Sequence, residues 1–309
     1  MDLITAPSPA AWVAVAEAEA APPTLPHGHA HPTACLDCGT ALTDHFCGHC
    51  GQPANTHRIT LKHLLFHDLP HSIWHVDKGV VYTFYQMLTR PGLTIRGYLD
   101  GQRTRLFRPV SYLLLLVGIS ALVMSAFQTN LHQAMLSSQA GTAGAATPAL
   151  MSVVLERYLA IGTKHPYLMQ LVLMPLNSLV AWWLLRRAGY NYAEVLLANC
   201  FVGGTLTVLN LAVMLPALLA GNRTFLLVAS QLVYLPTLGY TLWVHAQLLL
   251  ASPALTTARR YGRALGISVL QIGVLLVAAV VCIATLTVQV LKERPDLRPA
   301  KKPHTAAMR

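Results

Sequence analysis

The chain has 309 residues and a formal net charge of +10, yet only 11% of its residues are charged and 54% are apolar. A soluble globular protein carries about 25% charged residues, so this composition, with a mean hydropathy of +0.48, excludes the soluble class and indicates an integral membrane protein. The basic excess then points to anionic lipid headgroups rather than nucleic acid, for which no reading motif is present.

Residues 1–34 are rich in Ala and Pro. Asp2, Glu17 and Glu19, with no apolar stretch leading to a cleavage site, argue against a secretory signal, and a disordered tail is expected. The tail contains alternating His27, His29 and His31. These read either as a weak metal-capturing tract or, more simply, as a polar linker.

Residues 35–52 hold two Cys-x-x-Cys pairs, Cys35/Cys38 and Cys47/Cys50, each followed by Gly. Four thiolates give Zn²⁺ a closed tetrahedral shell, which is structural rather than catalytic. Gly39 and Gly51 suit the positive φ of such knuckles. A module this short has almost no core, so the metal would supply most of its folding energy. Two disulfides are the alternative, and they need an oxidising compartment. Cys200 and Cys282 lie in apolar stretches and read as packing residues.

Residues 59–109 form an amphipathic interfacial segment. Pro70 divides it into two expected helices, the first with Leu61, Leu64 and Leu65 on its apolar face. Ile73, Val80, Val81, Phe84 and Leu88 mark the second, and Trp74, Tyr82 and Tyr85 suit a membrane interface. His63, His67, His71 and His75 recur every four residues, so each pair shares a helix face and is a candidate second metal site. Interfacial packing is the simpler reading, since Pro70 separates the pairs. Arg90-Pro91-Gly92 turns the chain, and Arg103, Arg105 and Arg108 lead to Pro109. That run reads as a membrane anchor or as a candidate anionic-headgroup site, because guanidinium forks bind phosphate oxygens bidentately.

Residues 110–291 make an all-α transmembrane domain with five expected spans: Val110–Phe127, Tyr167–Leu185, Ala193–Ala220, Phe225–Leu250 and Ala264–Leu291, each near the ~20 apolar residues that cross a bilayer. The third is long enough to tilt or to end early at Pro216. Pro175, Pro216 and Pro236 are each expected to interrupt a span, Gly203-Gly204 allows close helix approach, and residues 150–161 suggest a short outer helix. With the amino terminus inside, ten arginines fall on the inner side (90, 96, 103, 105, 108, 186, 187, 259, 260 and 263) against Arg157, Lys164 and Arg223 outside. The positive-inside rule thus places the ribbon in the cytoplasm. The basic tail, residues 292–309, disagrees: either it is a tolerated exception or the span count is off by one.

Polar residues within spans suggest function by default. Glu194, Asn199 and His245, with Asn210, Gln247 and Gln271 nearby in the spans, form a candidate intramembrane polar pocket. Glu194, His245 and the Arg103–Arg108 group would share one depth. Interhelical hydrogen bonding is the plainer account. No phosphate loop, Ser/His/Asp set or paired carboxylate is present, so an enzyme is not expected.

The order of these features resembles the bacterial membrane family called domain of unknown function 3667. The matching residues are Cys35, Cys38, Cys47, Cys50, Gly51, Gln52, Arg58, Asp77, Lys78, Gly79, Thr83, Arg90, Pro91, Gly92, Tyr98, Gly101, Arg103 and Pro109. The resemblance covers about residues 35–116 and implies a bacterial inner-membrane protein with a cytoplasmic ribbon; it implies no reaction. Three functions compete. The first is a membrane-anchored interaction or regulatory protein with a protein partner at the ribbon. The second is a transporter or lipid-handling protein using the polar pocket. The third is metal handling, suggested by the ten histidines from His27 to His75.

Overall fold

The computed structural model describes residues 33–54, 56, 58–64, 79–127, 149–164, 166–249 and 256–297. The described residues are helical apart from turns, loops and two isolated β-bridges in the ribbon, Ala34 with Ala41 and Phe46 with Pro53. After a single turn at Leu61–His63, the helices are α1 (Val80–Thr89), α2 (Pro91–Leu99), α3 (Pro109–Ala126), α4 (Ala149–Lys164), α5 (Pro166–Leu185), α6 (Tyr192–Ala220), α7 (Arg223–Leu232), α8 (Tyr234–Leu248) and α9 (Thr257–Glu293). Pro91 and Pro109 open α2 and α3, where a missing N–H leaves no intrahelical bond unmade.

Four stretches are long and apolar enough to cross a membrane: α3, α6, residues Thr224–Leu248 across α7 and α8, and α9. The second expected span is α5, a helix of 20 residues. It runs antiparallel to α6. Gln170 reaches the Gly203 carbonyl at 3.3 Å, and further along Asn199 donates to Ser178 Oγ at 2.8 Å. Nearer the start of α6, Leu185 and Val195 share a buried cluster.

α6 is the centre of the bundle, packed by α1, α2, α3, α5, α7 and α8. Its 29 residues rise about 44 Å, well beyond a hydrocarbon layer of about 30 Å. The surplus has a use: Ala193, Leu197 and Phe201 are buried in one core with Ile95, Tyr98 and Leu99 of α2. Phe201 lies edge-on to Tyr98 at 5.4 Å and tilted against Tyr112 at 5.8 Å. The first turns of α6 are therefore wrapped by α1 and α2, and the length that suggested tilting is spent at that end.

Two proline expectations need correcting. Pro175 and Pro216 lie inside continuous helices, because each removes one hydrogen bond that neighbouring packing can absorb. At Pro236 the ring cannot donate to the Leu232 carbonyl, which divides α7 from α8 at Val233; Val233 itself keeps helical dihedrals, so the chain runs on in the same direction.

α9 starts beside the beginning of α6, with Ala264 and Ile267 in the cluster of Val195, Leu185 and Leu249. Its other end packs on α4 through Val154, Leu286 and Val290, beside an Arg157–Glu293 ion pair. The chain therefore leaves α9 at the end of the bundle opposite the start of α6.

Candidate metal centre and its seat

The four ribbon thiols gather at one point. All four sulfurs lie within 4.8 Å of one another, with Cys35 to Cys50 and Cys38 to Cys47 each at 3.5 Å. No disulfide joins them. Tetrahedral zinc with bonds of about 2.3 Å holds its sulfurs about 3.8 Å apart, so the donor set fits a metal ion. Hydrogen bonding to the Thr40 side chain and backbone holds the Cys38 thiol down at about 6. The Gln52 amide lowers Cys50, but desolvation and the three other sulfurs together push it up to about 12. Such a cluster is compatible with a metal ion, whose charge would let all four sulfurs be thiolates at once.

The ribbon does not hang free; it sits on the end of the bundle. Gln52, 3% exposed, donates from Nε2 to the Gly101 carbonyl at 2.7 Å. Its Oε1 accepts from Arg103 N at 3.2 Å and Thr104 Oγ1 at 3.0 Å. Gly101 has φ +105°, and a Cβ there would stand 2.8 Å from Leu36 Cδ1. Asp37 faces Arg105 Nε at 3.7 Å.

A second clamp follows. Arg58 donates from Nε to Glu194 Oε1 at 2.5 Å and from Nη2 to Oε2 at 2.9 Å and to the Gly189 carbonyl at 2.6 Å. The pair raises the Arg58 pKa further. Asn191 and Glu194 form a capping box at the start of α6. Asn191 Nδ2 also donates to the Ile59 carbonyl at 2.9 Å. One fork thus ties the segment after the ribbon to the central helix.

The interfacial helices lock in alongside. Phe107 N donates to Thr83 Oγ1 at 2.8 Å, and Gly92 N donates to Gln247 Oε1 at 2.7 Å. A Cβ on Gly92 would fall 2.2 Å from Gln247 Cβ, so only glycine admits this approach. On α1 the buried side is Thr83, Gln86 and Met87, whereas Val81, Tyr82, Tyr85 and Leu88 are exposed. That inversion suits a helix whose outer side meets lipid.

The residues of the candidate polar pocket are each met by a partner of their own. Glu194 takes Arg58, Asn199 takes Ser178 and His245 Nδ1 lies 2.8 Å from the Thr241 carbonyl. None of the three is bonded to another. The candidate headgroup arginines also separate. Arg103 lies over the Tyr98 ring at 5.6 Å, Arg105 faces Asp37, and Arg108 is exposed at the N-cap of α3. Of the candidate second metal set, His63 closes a short helical turn, while His67, His71 and His75 lie outside the described residues, as do His27, His29 and His31.

Arg58 and Gln52 were visible in the sequence as motif residues without roles. The signal that pointed to Arg58 was Glu194 itself, since a carboxylate near a membrane demands a cation. Nothing local indicated which cation, 136 positions away.

Residues 77–121 match the model of the family described as a protein of unknown function, DUF3667, the family that the motif order resembles. No curated protein and no solved structure matches the chain.

Proposed function

We infer that this chain is a membrane-anchored regulatory protein in which a zinc-loaded ribbon on the cytoplasmic face of a bacterial inner membrane receives a protein partner and is coupled to the spans beneath. One observation carries the reading: the bidentate Arg58–Glu194 pair, in which the segment following the ribbon grips the first turn of the central helix. Glu194 is 4% exposed, and a buried carboxylate deprived of its cation is costly. Any shift of the ribbon is therefore felt at α6. The transporter or lipid-handling alternative draws less support, because Glu194, Asn199 and His245 are engaged separately. The metal-handling alternative rests on the ten histidines from His27 to His75, of which His45, His49 and His63 are among the described residues.

The test is affinity capture from native membranes, comparing the wild type with Cys35→Ser/Cys38→Ser. The wild type should contain about one zinc per chain and retain a partner that the double variant loses. Equal capture by a metal-free variant would overturn the docking role. A reporter fused to Met1 should be active only as a cytoplasmic fusion; a periplasmic signal would reverse the orientation.

A further inference from the structure

Arg96 of α2 is 6% exposed, and among the described residues none of its three guanidinium nitrogens has a hydrogen-bond partner. Arginine stays charged in proteins, and an unpaired buried charge is strongly destabilising. An anion is therefore called for.

Its position follows from the helix it sits on. Gly92, one turn earlier on the same face, touches Gln247 near the end of α8, so Arg96 faces the carboxyl end of that helix. There Tyr190 donates its hydroxyl to the Leu248 carbonyl at 3.2 Å. Burial raises the Tyr190 pKa, the nearby Arg96 charge works against that rise, and the Asp100 and Glu194 carboxylates add to it. A second orphan comes from another helix. Arg260 Nε, in the first turn of α9, is buried without a partner, and Ala264, one turn on, shares a packed cluster with Ala246, Leu249 and Tyr190.

Among the described residues two carboxylates, Glu194 and Asp100, act on the same Tyr190 hydroxyl as Arg96, and neither is hydrogen-bonded to Arg96. A helix carboxyl end carries only about half a negative charge. Glu194 is committed to Arg58. Asp100, the residue that caps the end of α2, accepts no hydrogen bond from Arg96. The same end of the bundle carries Arg186, Arg187, Arg259 and Arg263, and exposed Tyr261, Leu265 and Val269 on α9 offer apolar surface beside it.

We propose that Arg96, assisted by Arg260, anchors a phosphate-binding site between α2, the end of α8 and the start of α9. Its ligand is a phosphate group, borne by an anionic phospholipid or free in solution. Two guanidinium groups from separate helices suit a tetrahedral oxyanion better than a single carboxylate, because forks can engage different oxygens. The site is distinct from Arg103, Arg105 and Arg108.

The full chain is reconstituted in phosphatidylcholine nanodiscs, and its thermal unfolding is followed on adding inorganic phosphate or on replacing part of the lipid with phosphatidylglycerol. The wild type should be stabilised by at least one of these. A response to phosphatidylglycerol alone identifies a headgroup; a response to inorganic phosphate identifies the free ion. Arg96→Gln should lose the response, and Arg260→Gln should weaken the apparent affinity about tenfold, as expected for one charge-assisted hydrogen bond. Arg187→Gln, an exposed charge at the same end, should respond like the wild type. Should Arg96→Gln fail to fold, Arg96→Lys keeps the charge without the fork and should bind more weakly. An unresponsive wild type, or an Arg96→Gln variant that responds fully, would overturn the proposal. Equal destabilisation by Asp100→Asn and Arg96→Gln, with no response to either phosphate source, would show that the counter-ion is the chain's own Asp100 carboxylate and overturn the proposal.

Discussion

The first ribbon knuckle closes with Gly39 N–H on the Cys35 carbonyl and the second with Gly51 N–H on the Cys47 carbonyl, both at 2.9 Å. Cys35 N reaches the Thr40 carbonyl and Cys47 N the Gln52 carbonyl, both at 2.8 Å, and φ is +74° at Gly39 and +76° at Gly51. Their backbones repeat because a tetrahedral thiolate site makes the same demand twice. Their surroundings are opposite. The first knuckle carries Leu36 and Asp37, which meet Gly101 and Arg105. The second carries Gly48 and His49, both exposed, beside Phe46 at 63% exposure. The four-thiol arrangement gives both knuckles one shape, while the residues between the cysteines decide which tip is seated; Gln52, just after the second pair, joins the first tip in that seat.

The hardest way to break this comparison is to remove the element the knuckles share. Cys35→Ser and Cys47→Ser should abolish metal binding equally, although their knuckles differ in seating, because structural zinc contributes on the order of 10 kcal/mol to such small modules. Metal content and proteolysis within residues 33–54 are the measurements. A Cys47→Ser ribbon that stayed protease-resistant would mean that the seat, not the ion, holds the first knuckle together.

Next in size is the clamp below the ribbon. Arg58→Ala strands the buried Glu194 carboxylate and should cost about 3 kcal/mol, reduced somewhat because the Arg58 side chain is 32% exposed. Arg58→Ala with Glu194→Gln should recover part of that loss. Hydrogen exchange at the first turn of α6, compared between single and double variants, measures it.

How much of this could be read in advance depended on range. The helices, α4 among them, and the four-thiol site came from local apolarity, periodicity and spacing, which are written within a few tens of residues. Pro175 and Pro216 misled because a missing hydrogen bond is local whereas the packing that absorbs it is not. Gln52 with Gly101, Arg58 with Glu194 and Gly92 with Gln247 join residues 49, 136 and 155 positions apart. Each partner alone is an ordinary residue. Arg96 shows the limit best: counted in sequence as one more inner charge, it is set apart only by being buried without an acceptor.

A subtler comparison separates the seat from the open side. Gly101→Ala forces a side chain into φ +105° and against Leu36, and should destabilise by about 2 kcal/mol from backbone strain. Gly48→Ala meets nothing within 4 Å and should change stability by less than about 0.5 kcal/mol. If thermal unfolding shifted equally for both, the second knuckle would be as confined as the first.

The smallest stability effect belongs to Phe46. A large aromatic ring at 63% exposure contributes little to packing, so Phe46→Ser should leave metal content and unfolding nearly unchanged. Partner capture is where it should register, because exposed aromatics supply much of the energy of protein interfaces. A Phe46→Ser chain that kept zinc and stability but lost the captured partner would identify the unseated knuckle as the docking face. Retention of the partner would move the interface elsewhere and leave the ribbon as a cap on the bundle, since its other face is already occupied by Gln52, Leu36 and Asp37 against the membrane domain.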